Sequence, residues 1–415
     1  MRKETRHRIK IKKPNGFLYG LVYILFYPIL KIFFRLKVDR RDYRPPKGPF
    51  IVLSNHKSFI DFLVAMLTVY PRRLNAVAAQ KFFYYRPLNV LLPIMGCIPK
   101  NLFDPDVRSV LGIFSVIKNG GNLLIFPEGR CSVDGSYMGI NKATGKLVKK
   151  LNVPVVSCHI EGSYICMPFW RKGVRLGRVR VTLANLFDTE DTRLLDVDEI
   201  NRRIDCRLSG SDTPAPSKPF QVFRAKRLAE GLENIIYYCP VCEKEFTLET
   251  QGNTIRCSAC GATAEMDRYA MLNPVQGGVL PETLSKWYEK QAAHEMRALS
   301  SDMEPVKAEV IVRMPLKPGQ GVVPCGNGEL QLDPEGWRFD GTILGEDTHL
   351  FFPIDSVPAI PFDPKDDFQI YAKGRFYMFT PVDNPQKCAK YAVIGECAYW
   401  RFSVDPQMTY EFGIS

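Results

Sequence analysis

Residues 50–61 read FIVLSNHKSFID, and this stretch decides how the surrounding chain folds. Its apolar first half predicts a buried strand, and the FLVAML run that follows predicts a helix. His56 and Asp61 therefore fall where a strand gives way to a helix, a common place for functional groups in α/β folds. Imidazole takes a proton near neutral pH, and a carboxylate on its other nitrogen fixes the tautomer. The pair predicts a base and its orienter, with His56 in the loop and Asp61 in the first helical turn. The alternative is a turn in which Ser58 or Asp61 only caps the helix.

Strands and helices alternate from residue 47 to about residue 184. The candidate strands are residues 50–54, 75–79, 122–126, 153–160 and 179–184. The candidate helices are residues 62–69, 87–95, 107–118 and 140–151. This alternation predicts an α/β domain with a mainly parallel sheet and flanking helices. His56 and Glu128 each follow a strand, so we expect both at the carboxyl edge of the sheet.

Four short motifs occur in order along this domain. They are Asn-His-x4-Asp at residues 55–61, Gly-x-Ile at 96–98, Phe-Pro-Glu-Gly at 126–129 and Val-Pro-Val-Val at 153–156. In this order they resemble the glycerolipid acyltransferase family, which includes the lysophosphatidate acyltransferases. The resemblance covers roughly residues 40–190, less than half of the chain.

The resemblance implies acyl transfer from a thioester, acyl-CoA or acyl-carrier protein, to the hydroxyl of a lysophospholipid acceptor. His56 would remove the hydroxyl proton, and Asp61 would hold the imidazole. A thioester is already activated, so no acyl-enzyme is required, and neither Ser58 nor Cys131 is assigned as a nucleophile. Lysophosphatidate is the expected acceptor. Another lysolipid acceptor is the nearest alternative.

A phosphate on the acceptor calls for cations near the site. The predicted substrate-binding residues are Glu128, Gly129, Arg130, Lys81 and Lys100. The family pattern Glu-Gly-Thr-Arg-Ser reads Glu-Gly-Arg-Cys-Ser here, so the arginine comes one position early. Residues 99–101, Pro-Lys-Asn, replace an Asp-Arg pair of the family, which makes Lys100 a substitute cation. Lys81 and Lys100 are equally consistent with ordinary surface lysines.

Charge is distributed unevenly over the 415 residues, whose net charge is +12. Residues 1–208 carry 36 basic and 16 acidic side chains, a net +20, and the remaining residues carry 20 and 28, a net −8. The first half is therefore expected to meet something anionic, for which nucleic acid and an anionic membrane surface both qualify, and a solvated basic surface is the alternative. The acidic second half lacks the basic footprint of nucleic-acid binding, so no nucleic acid is expected as a partner.

The N-terminus combines a basic arm, residues 1–13, with the apolar run FLYGLVYILFYPIL at residues 17–30. No small-residue cleavage site follows, which argues against a signal peptide. The run is short for a span of about 20 residues, and its tyrosines suit an interface. We expect a helical segment lying in one leaflet at the cytoplasmic face of a membrane. A single span and a buried core helix are the alternatives.

Twelve cysteines are scattered through the chain, which indicates reduced thiols in a cytosol-facing compartment. Four of them form two Cys-x2-Cys pairs, Cys239 with Cys242 and Cys257 with Cys260. Two such pairs at this separation predict a zinc ribbon with structural zinc. Because zinc ribbons often bind nucleic acid, an inactive acyltransferase-like regulator that binds lipid or nucleic acid is the alternative from a different functional class.

The rest of the chain predicts a helix over residues 220–234, an amphipathic helix over 280–299, and short strands from about residue 306. A terminal helix over 386–399 completes a β-rich, loosely pleckstrin-homology-like domain. The predicted domains are 1–38 (basic arm and membrane-interacting segment), 39–208 (acyltransferase domain), 209–236 (linker and helix), 237–262 (zinc ribbon), 263–305 (helical connector) and 306–415 (β-rich domain with terminal helix).

Overall fold

The computed structural model describes residues 11–103, 105–171, 173–210, 212, 223–372 and 374–404. Most of the basic arm, most of the linker and the C-terminal end therefore lie outside the described residues. Within the described part, strands form three sheets, lying between residues 37 and 187, 248 and 276, and 306 and 381. The domain boundaries proposed from the sequence stay a prediction.

The first sheet has seven strands: β1 Lys37–Asp42, β2 Ile51–Ser54, β3 Leu74–Ala79, β4 Ile98–Lys100, β5 Asn122–Ile125, β6 Val155–Glu161 and β7 Arg180–Phe187. Eight helices accompany it: α1 Gly16–Phe33, α2 Ile60–Thr68, α3 Leu88–Ile94, α4 Val107–Lys118, α5 Ala143–Leu151, α6 Ser163–Cys166, α7 Thr189–Leu194 and α8 Val197–Leu208. The strand order is β1-β7-β6-β2-β5-β3-β4.

Strand β2 lies at the centre of this sheet. Ile51 is in register with Leu123 of β5 and with Val155 of β6, and both pairings are parallel. With neighbours on each side and helices on both faces, all four residues of β2 are buried, which explains the apolar run in the sequence. The β6–β7 pair is antiparallel and the other pairs are parallel, so the predicted mainly parallel sheet is confirmed.

The sequence missed elements at the periphery of this domain. Edge strand β1 reads KVDRRD and is mostly exposed, so it has no apolar run to reveal it. Helices α7 and α8 follow Asp188 and Asp196, whose carboxylates accept hydrogen bonds from first-turn amides. Those caps are a readable sequence signal for helix starts.

Helix α1 packs one face on the α/β domain and exposes the other. Tyr19 is buried and donates a hydrogen bond to the carbonyl of Met66, and Tyr23 stacks on Tyr70 with ring centroids 4.1 Å apart. On the opposite face Phe17, Ile24 and six other large apolar residues are exposed. Among the residues described, α1 is the one helix whose length and composition would let it cross a membrane.

The second sheet contains β8 Leu248–Gln251, β9 Thr254–Cys257, β10 Thr263–Met266 and β11 Leu272–Gln276, in the order β11-β10-β9-β8. Two predictions were wrong here. The expected helical connector over residues 263–305 begins with strands β10 and β11, which complete the ribbon's sheet. The expected helix over residues 220–234 is absent from residues 223–234 apart from a short turn at Leu232–Asn234, because Arg227 and Gly231 have positive φ angles.

Helix α9, Leu284–Ala298, confirms the predicted amphipathic helix and connects the ribbon to the third sheet. That sheet contains β12 Val306–Met314, β13 Val323–Asp333, β14 Gly336–Ile343, β15 Glu346–Pro353, β16 Phe362–Asp363, β17 Asp367–Ala372 and β18 Arg375–Pro381, and α10 Lys387–Tyr399 follows. Its order is β15-β14-β13-β12-β18-β17-β16, with every pair antiparallel. The β-rich region with a terminal helix is confirmed, and its pleckstrin-homology-like identity stays a prediction.

Gly395 lets α10 approach the third sheet closely. A Cβ added at this position would lie 2.3 Å from Cδ1 of Ile360 and 2.9 Å from Cζ2 of Trp337. We therefore expect Gly395→Ala to lower the free energy of unfolding by about 1 kcal/mol, because overpacking typically costs about 1–3 kcal/mol and helix propensity returns at most about 1 kcal/mol. Thermal unfolding followed by circular dichroism measures the change.

The matched control is Gly20→Ala in α1, where the added Cβ would lie 3.8 Å from the hydroxyl of Tyr70. That is an ordinary contact, so this variant should be neutral or slightly more stable. A rise in unfolding temperature for both variants would contradict the close packing of α10.

Candidate active site

The loop between β2 and α2 is organised by the carboxylate of Asp61. Asp61 lies in the first turn of α2, and its side chain is fully buried. Its Oδ2 atom accepts hydrogen bonds from the backbone amides of Lys57 at 2.6 Å and Ser58 at 2.7 Å. His56 lies in this loop, with Nδ1 3.5 Å from the same oxygen. The structure thus brings His56 and Asp61 together with the placement expected from the sequence, although this distance is at the long limit for a hydrogen bond.

The imidazole of His56 has two further neighbours. It stacks on the ring of Phe126, with centroids 4.1 Å apart, and Sγ of Cys131 lies 3.2 Å from Nε2. The His56 side chain is 18% exposed. Sequence reasoning noted Phe126 as a member of a motif and considered Cys131 as a nucleophile without assigning it that role. Their contact with His56 arises because β5 lies beside β2 in the sheet.

Glu128 connects the two motif loops. Its Oε1 accepts a hydrogen bond from the backbone amide of His56 at 2.6 Å, and the amide of Ser132 donates to the carbonyl of His56 at 3.0 Å. Burial raises the pKa of Glu128 to about 7, and the hydrogen bond from His56 opposes that rise. Glu128 therefore orients the His56 loop. Gly129 turns the chain here with a φ of +82°, a conformation that glycine adopts without strain.

The charge state of His56 depends on its neighbours. Burial lowers its pKa, whereas the neighbouring side chains of Cys131 and Asp61 raise it, and the balance lies at about 10. The direction of this shift favours imidazolium, because negative charge beside the ring stabilises the protonated form. Protonated imidazole is an acid, and it becomes a base only after giving up that proton.

Arg130, a predicted phosphate ligand, is paired with a carboxylate from the C-terminal helix. Both terminal nitrogens of its guanidinium contact Glu396 of α10, one of them at 2.7 Å, and both side chains are mostly buried. Glu396 also accepts a hydrogen bond from the amide of Ile360. Glu396, the partner of Arg130, is therefore held in place within the domain of the third sheet.

Lys81 is also paired with a carboxylate from the C-terminal domain. Its ammonium lies 2.7 Å from Oδ2 of Asp363 in β16. Lys100 ends β4 and pairs in register with Ala79, two residues before Lys81, so these two lysines share one edge of the first sheet. Neither Glu396 nor Asp363 has a sequence signal linking it to this site, because both lie more than 260 residues from their partners.

A buried ion pair lies directly beside His56. The ammonium of Lys57 is 3.0 Å from Oδ1 of Asp212, and neither side chain is more than 1% exposed. Oδ2 of Asp212 accepts a hydrogen bond from the amide of Tyr164, and its own amide donates to the carbonyl of Gly135. A lysine buried in this way requires a paired charge, but the sequence does not reveal which carboxylate supplies it.

Four thiols converge in the ribbon. Sγ of Cys239 is 3.8 Å from that of Cys260, and Sγ of Cys242 is 3.7 Å from that of Cys257. The four sulfur atoms all lie within 4.8 Å of one another. A tetrahedron of thiolates about 2.3 Å from a central zinc has sulfur–sulfur edges of about 3.8 Å, so the predicted ligands are arranged to hold a metal ion.

Comparisons with known proteins find similarity to acyltransferases. The 1-acyl-sn-glycerol-3-phosphate acyltransferase BAT2 of Brassica napus is 28% identical over 138 residues, which cover 32% of this chain and 40% of that protein. The 1-acyl-sn-glycerol-3-phosphate acyltransferase of Limnanthes douglasii is 26% identical over 218 residues, 51% of this chain and 73% of that protein. The bovine enzyme 1-acyl-sn-glycerol-3-phosphate acyltransferase alpha is 26% identical, and the match spans 60% of its length.

Among solved structures, the 1-acyl-sn-glycerophosphate acyltransferase PlsC of Thermotoga maritima matches with a TM-score of 0.41 and 21% identity, over 46% of this chain and 77% of that one. The model of the Acyltransferase family matches residues 35–161, which contain the His56 loop, both predicted lysines and the Glu128 loop. This domain is therefore similar to the Acyltransferase family.

Proposed function

We propose that this protein transfers an acyl group from acyl-CoA or acyl-carrier protein to the free hydroxyl of a lysophospholipid, with lysophosphatidate as the favoured acceptor. The observation that carries the proposal is His56 itself. It is partly exposed at the carboxyl end of the central strand, within hydrogen-bonding range of Asp61, in a domain similar to the Acyltransferase family. The relatives' names supply the acceptor class.

In this reaction the neutral form of His56 takes the proton from the acceptor hydroxyl as the oxygen attacks the acyl carbon. The carboxylate of Asp61 stabilises the imidazolium that forms and holds the loop that carries the ring. A base placed in this way typically contributes roughly 10²–10⁴-fold to the rate. Glu128 holds the loop in place by accepting a hydrogen bond from the amide of His56.

The acceptor phosphate is proposed to bind at the cationic edge formed by Arg130, Lys81 and Lys100. The guanidinium of Arg130 matches phosphate oxygens in the same forked geometry that it uses with Glu396. A phosphate at Arg130 or Lys81 therefore has to replace Glu396 or Asp363. An acceptor panel of lysophosphatidate, lysophosphatidylcholine and lysophosphatidylethanolamine, assayed with both donors, tests the head group, and absence of transfer to all of them would favour the regulator.

His56→Ala should reduce acyl transfer to lysophosphatidate by roughly 10²–10⁴-fold, because the hydroxyl then has no base. The assay follows labelled acyl chains from donor to lipid, and circular dichroism checks that the variant is folded. The matched control is His349→Ala. His349 forms a similar pair with Asp340 at 2.6 Å on the exposed surface of the C-terminal domain. Activity that falls equally in both variants, or in neither, would contradict the assignment.

We also propose that Cys239, Cys242, Cys257 and Cys260 bind structural zinc. When bound, zinc would fix two loops of a ribbon that is too small to stabilise itself by its own core. Replacing Cys239 and Cys242 by Ser should remove the metal and increase proteolysis of the ribbon. Metal analysis of the purified protein measures this, and Cys206→Ser, at an exposed cysteine of α8, is the control. Unchanged zinc content in the double variant would refute the site.

Finally, we propose that α1 lies in the plane of an anionic membrane surface at the cytoplasmic face. Its inner face is occupied by contacts to the α/β domain, so lipid can surround only the outer face. At 18 residues α1 is about 27 Å long, somewhat short of a bilayer core of about 30 Å.

Replacing both Ile24 and Ile32 by Glu should weaken binding to anionic vesicles by about 100-fold or more, since each buried isoleucine contributes about 1.5–3 kcal/mol. Both residues are well exposed in the absence of lipid. Vesicle flotation measures the binding. Val279→Glu, at an exposed apolar residue after the ribbon, is the control, and equal flotation of all three proteins would place the membrane contact elsewhere.

A further inference from the structure

Helix α3 is apolar on every side, yet it lies at the surface. It reads LNVLLPI, and none of its seven residues is buried. Val90, Leu91 and Ile94 are exposed, Val90 at 56%, whereas Leu92 is half-buried against the core and holds the helix in place. A helix that is apolar all round is normally covered by protein or by lipid. The exposed side of α3 therefore indicates a surface that something else covers.

Helix α3 adjoins the beginning of α1. The backbone amide of Asn15 donates a hydrogen bond to the carbonyl of Ile94 at 3.1 Å, so the end of α3 meets the first turn of α1, where Phe17 is exposed. Four residues before Asn15, the side chain of Ile11 lies 3.4 Å from where a Cβ would stand at Gly112 of α4. The three helices α1, α3 and α4 thus meet around residues 11–17.

Helix α4 adds an apolar stripe of its own. Val107, Val110 and Leu111 are exposed, and spacings of three and four residues place them on one face of the helix. The opposite face is buried, with Ile113 and Val116 packed in the core beneath the sheet. An amphipathic surface helix normally turns polar residues outward, so the outer face of α4 has the same character as α3.

Exposed aromatic side chains connect the active-site loop to α3. Phe59, three residues after His56, is exposed and lies edge-on to Phe82, with ring centroids 6.4 Å apart. Phe82 belongs to the helical turn Gln80–Tyr84, and the exposed Tyr85 follows it, just before α3 begins. An apolar track therefore leads from the loop that carries the proposed base to the uncovered helix.

Charge indicates what covers this surface. Residues 11–37 carry five basic side chains and no acidic one, and residues 80–121 carry five basic and two acidic ones, of which Asp106 caps α4. Basic residues beside an apolar surface match an anionic bilayer. A second copy of this chain would bring the same positive charge and is the poorer match. Residues 1–10, with five basic side chains, are too polar to cover an apolar face.

We propose that α3 and the outer stripe of α4 form a second membrane contact, which turns the His56 loop toward an anionic bilayer. A single helix lying on a membrane leaves the protein free to rotate about the helix axis, and a second contact removes that freedom. The inference rests on the proposed lipid acyltransferase function and deepens it. The acceptor would pass from the leaflet to His56 along Phe59 and Phe82, with its acyl chain remaining on the apolar track.

Vesicle flotation of the full-length protein tests the contact. The variant carries both Val90→Glu and Val107→Glu, at exposed positions where a carboxylate does not disturb the core, and circular dichroism checks its fold. We expect binding to phosphatidylcholine vesicles containing phosphatidylserine to weaken at least about 10-fold, because two apolar contacts become anionic. Leu194→Glu, at an exposed residue of α7, is the matched control and should bind as the unchanged protein does. Equal flotation of all three proteins would overturn the proposal.

Two acceptors separate a membrane contact from damage to the site. With long-chain lysophosphatidate in vesicles the Val90→Glu, Val107→Glu variant should lose at least about 10-fold in acyl transfer, whereas with a short-chain, monomeric lysophosphatidate it should match the unchanged protein. An equal loss with both acceptors would overturn the proposal. Inactivity of the unchanged protein toward both would instead count against the proposed function, and flotation would still test the membrane contact.

Sedimentation without lipid tests the competing occupant. We expect the unchanged protein and the Val90→Glu, Val107→Glu variant to sediment alike. A dimer of the unchanged protein that these substitutions dissociate would identify a second copy of the chain as the partner of this surface, and would overturn the proposal.

Discussion

The carboxylate of Asp61 is the constraint on which the site depends. It is fully buried, and a buried charge is tolerated only where hydrogen bonds replace its lost hydration. The amides of Lys57 and Ser58 supply two of those bonds to Oδ2, which requires residues 56–58 to fold around that oxygen. The position of His56 follows from that turn. Asp61 thus positions the imidazole through the backbone as well as through its long contact with the ring.

A second carboxylate, that of Glu128, reaches the same loop from the neighbouring strand. Because β2 and β5 run parallel and in register, the loops at their carboxyl ends come together, and Glu128 meets the amide of His56. The sheet therefore brings together three groups that lie up to 75 residues apart: His56, Glu128 and Cys131. The chemistry proposed for this site is local, but its geometry is set by the central pair of strands.

Much of this arrangement could be predicted because its signals are local. The alternation of strands and helices predicted the sheet, the apolar run before residue 55 predicted the position of His56, and the two Cys-x2-Cys pairs predicted the converging cysteines. The remaining contacts could not be read in the same way. Asp212 pairs with Lys57, and Glu396 pairs with Arg130, although the partners are far apart in sequence. From the sequence alone, any acidic residue could be the partner of a buried cation. The prediction of a helix before the ribbon was wrong because Arg227 and Gly231 have positive φ angles, which interrupt a helix. The hydrophobic periodicity of the sequence does not reveal these angles.

Under the proposed phosphate site, head-group binding and docking of α10 would compete for the guanidinium of Arg130, which contacts Glu396. Thermodynamic linkage then makes the effect reciprocal. Phosphate binding at Arg130 would weaken the docking of α10 on the α/β domain by the same factor by which that docking weakens phosphate binding. Substrate occupancy would thereby be communicated to the far end of the chain without any additional sensor.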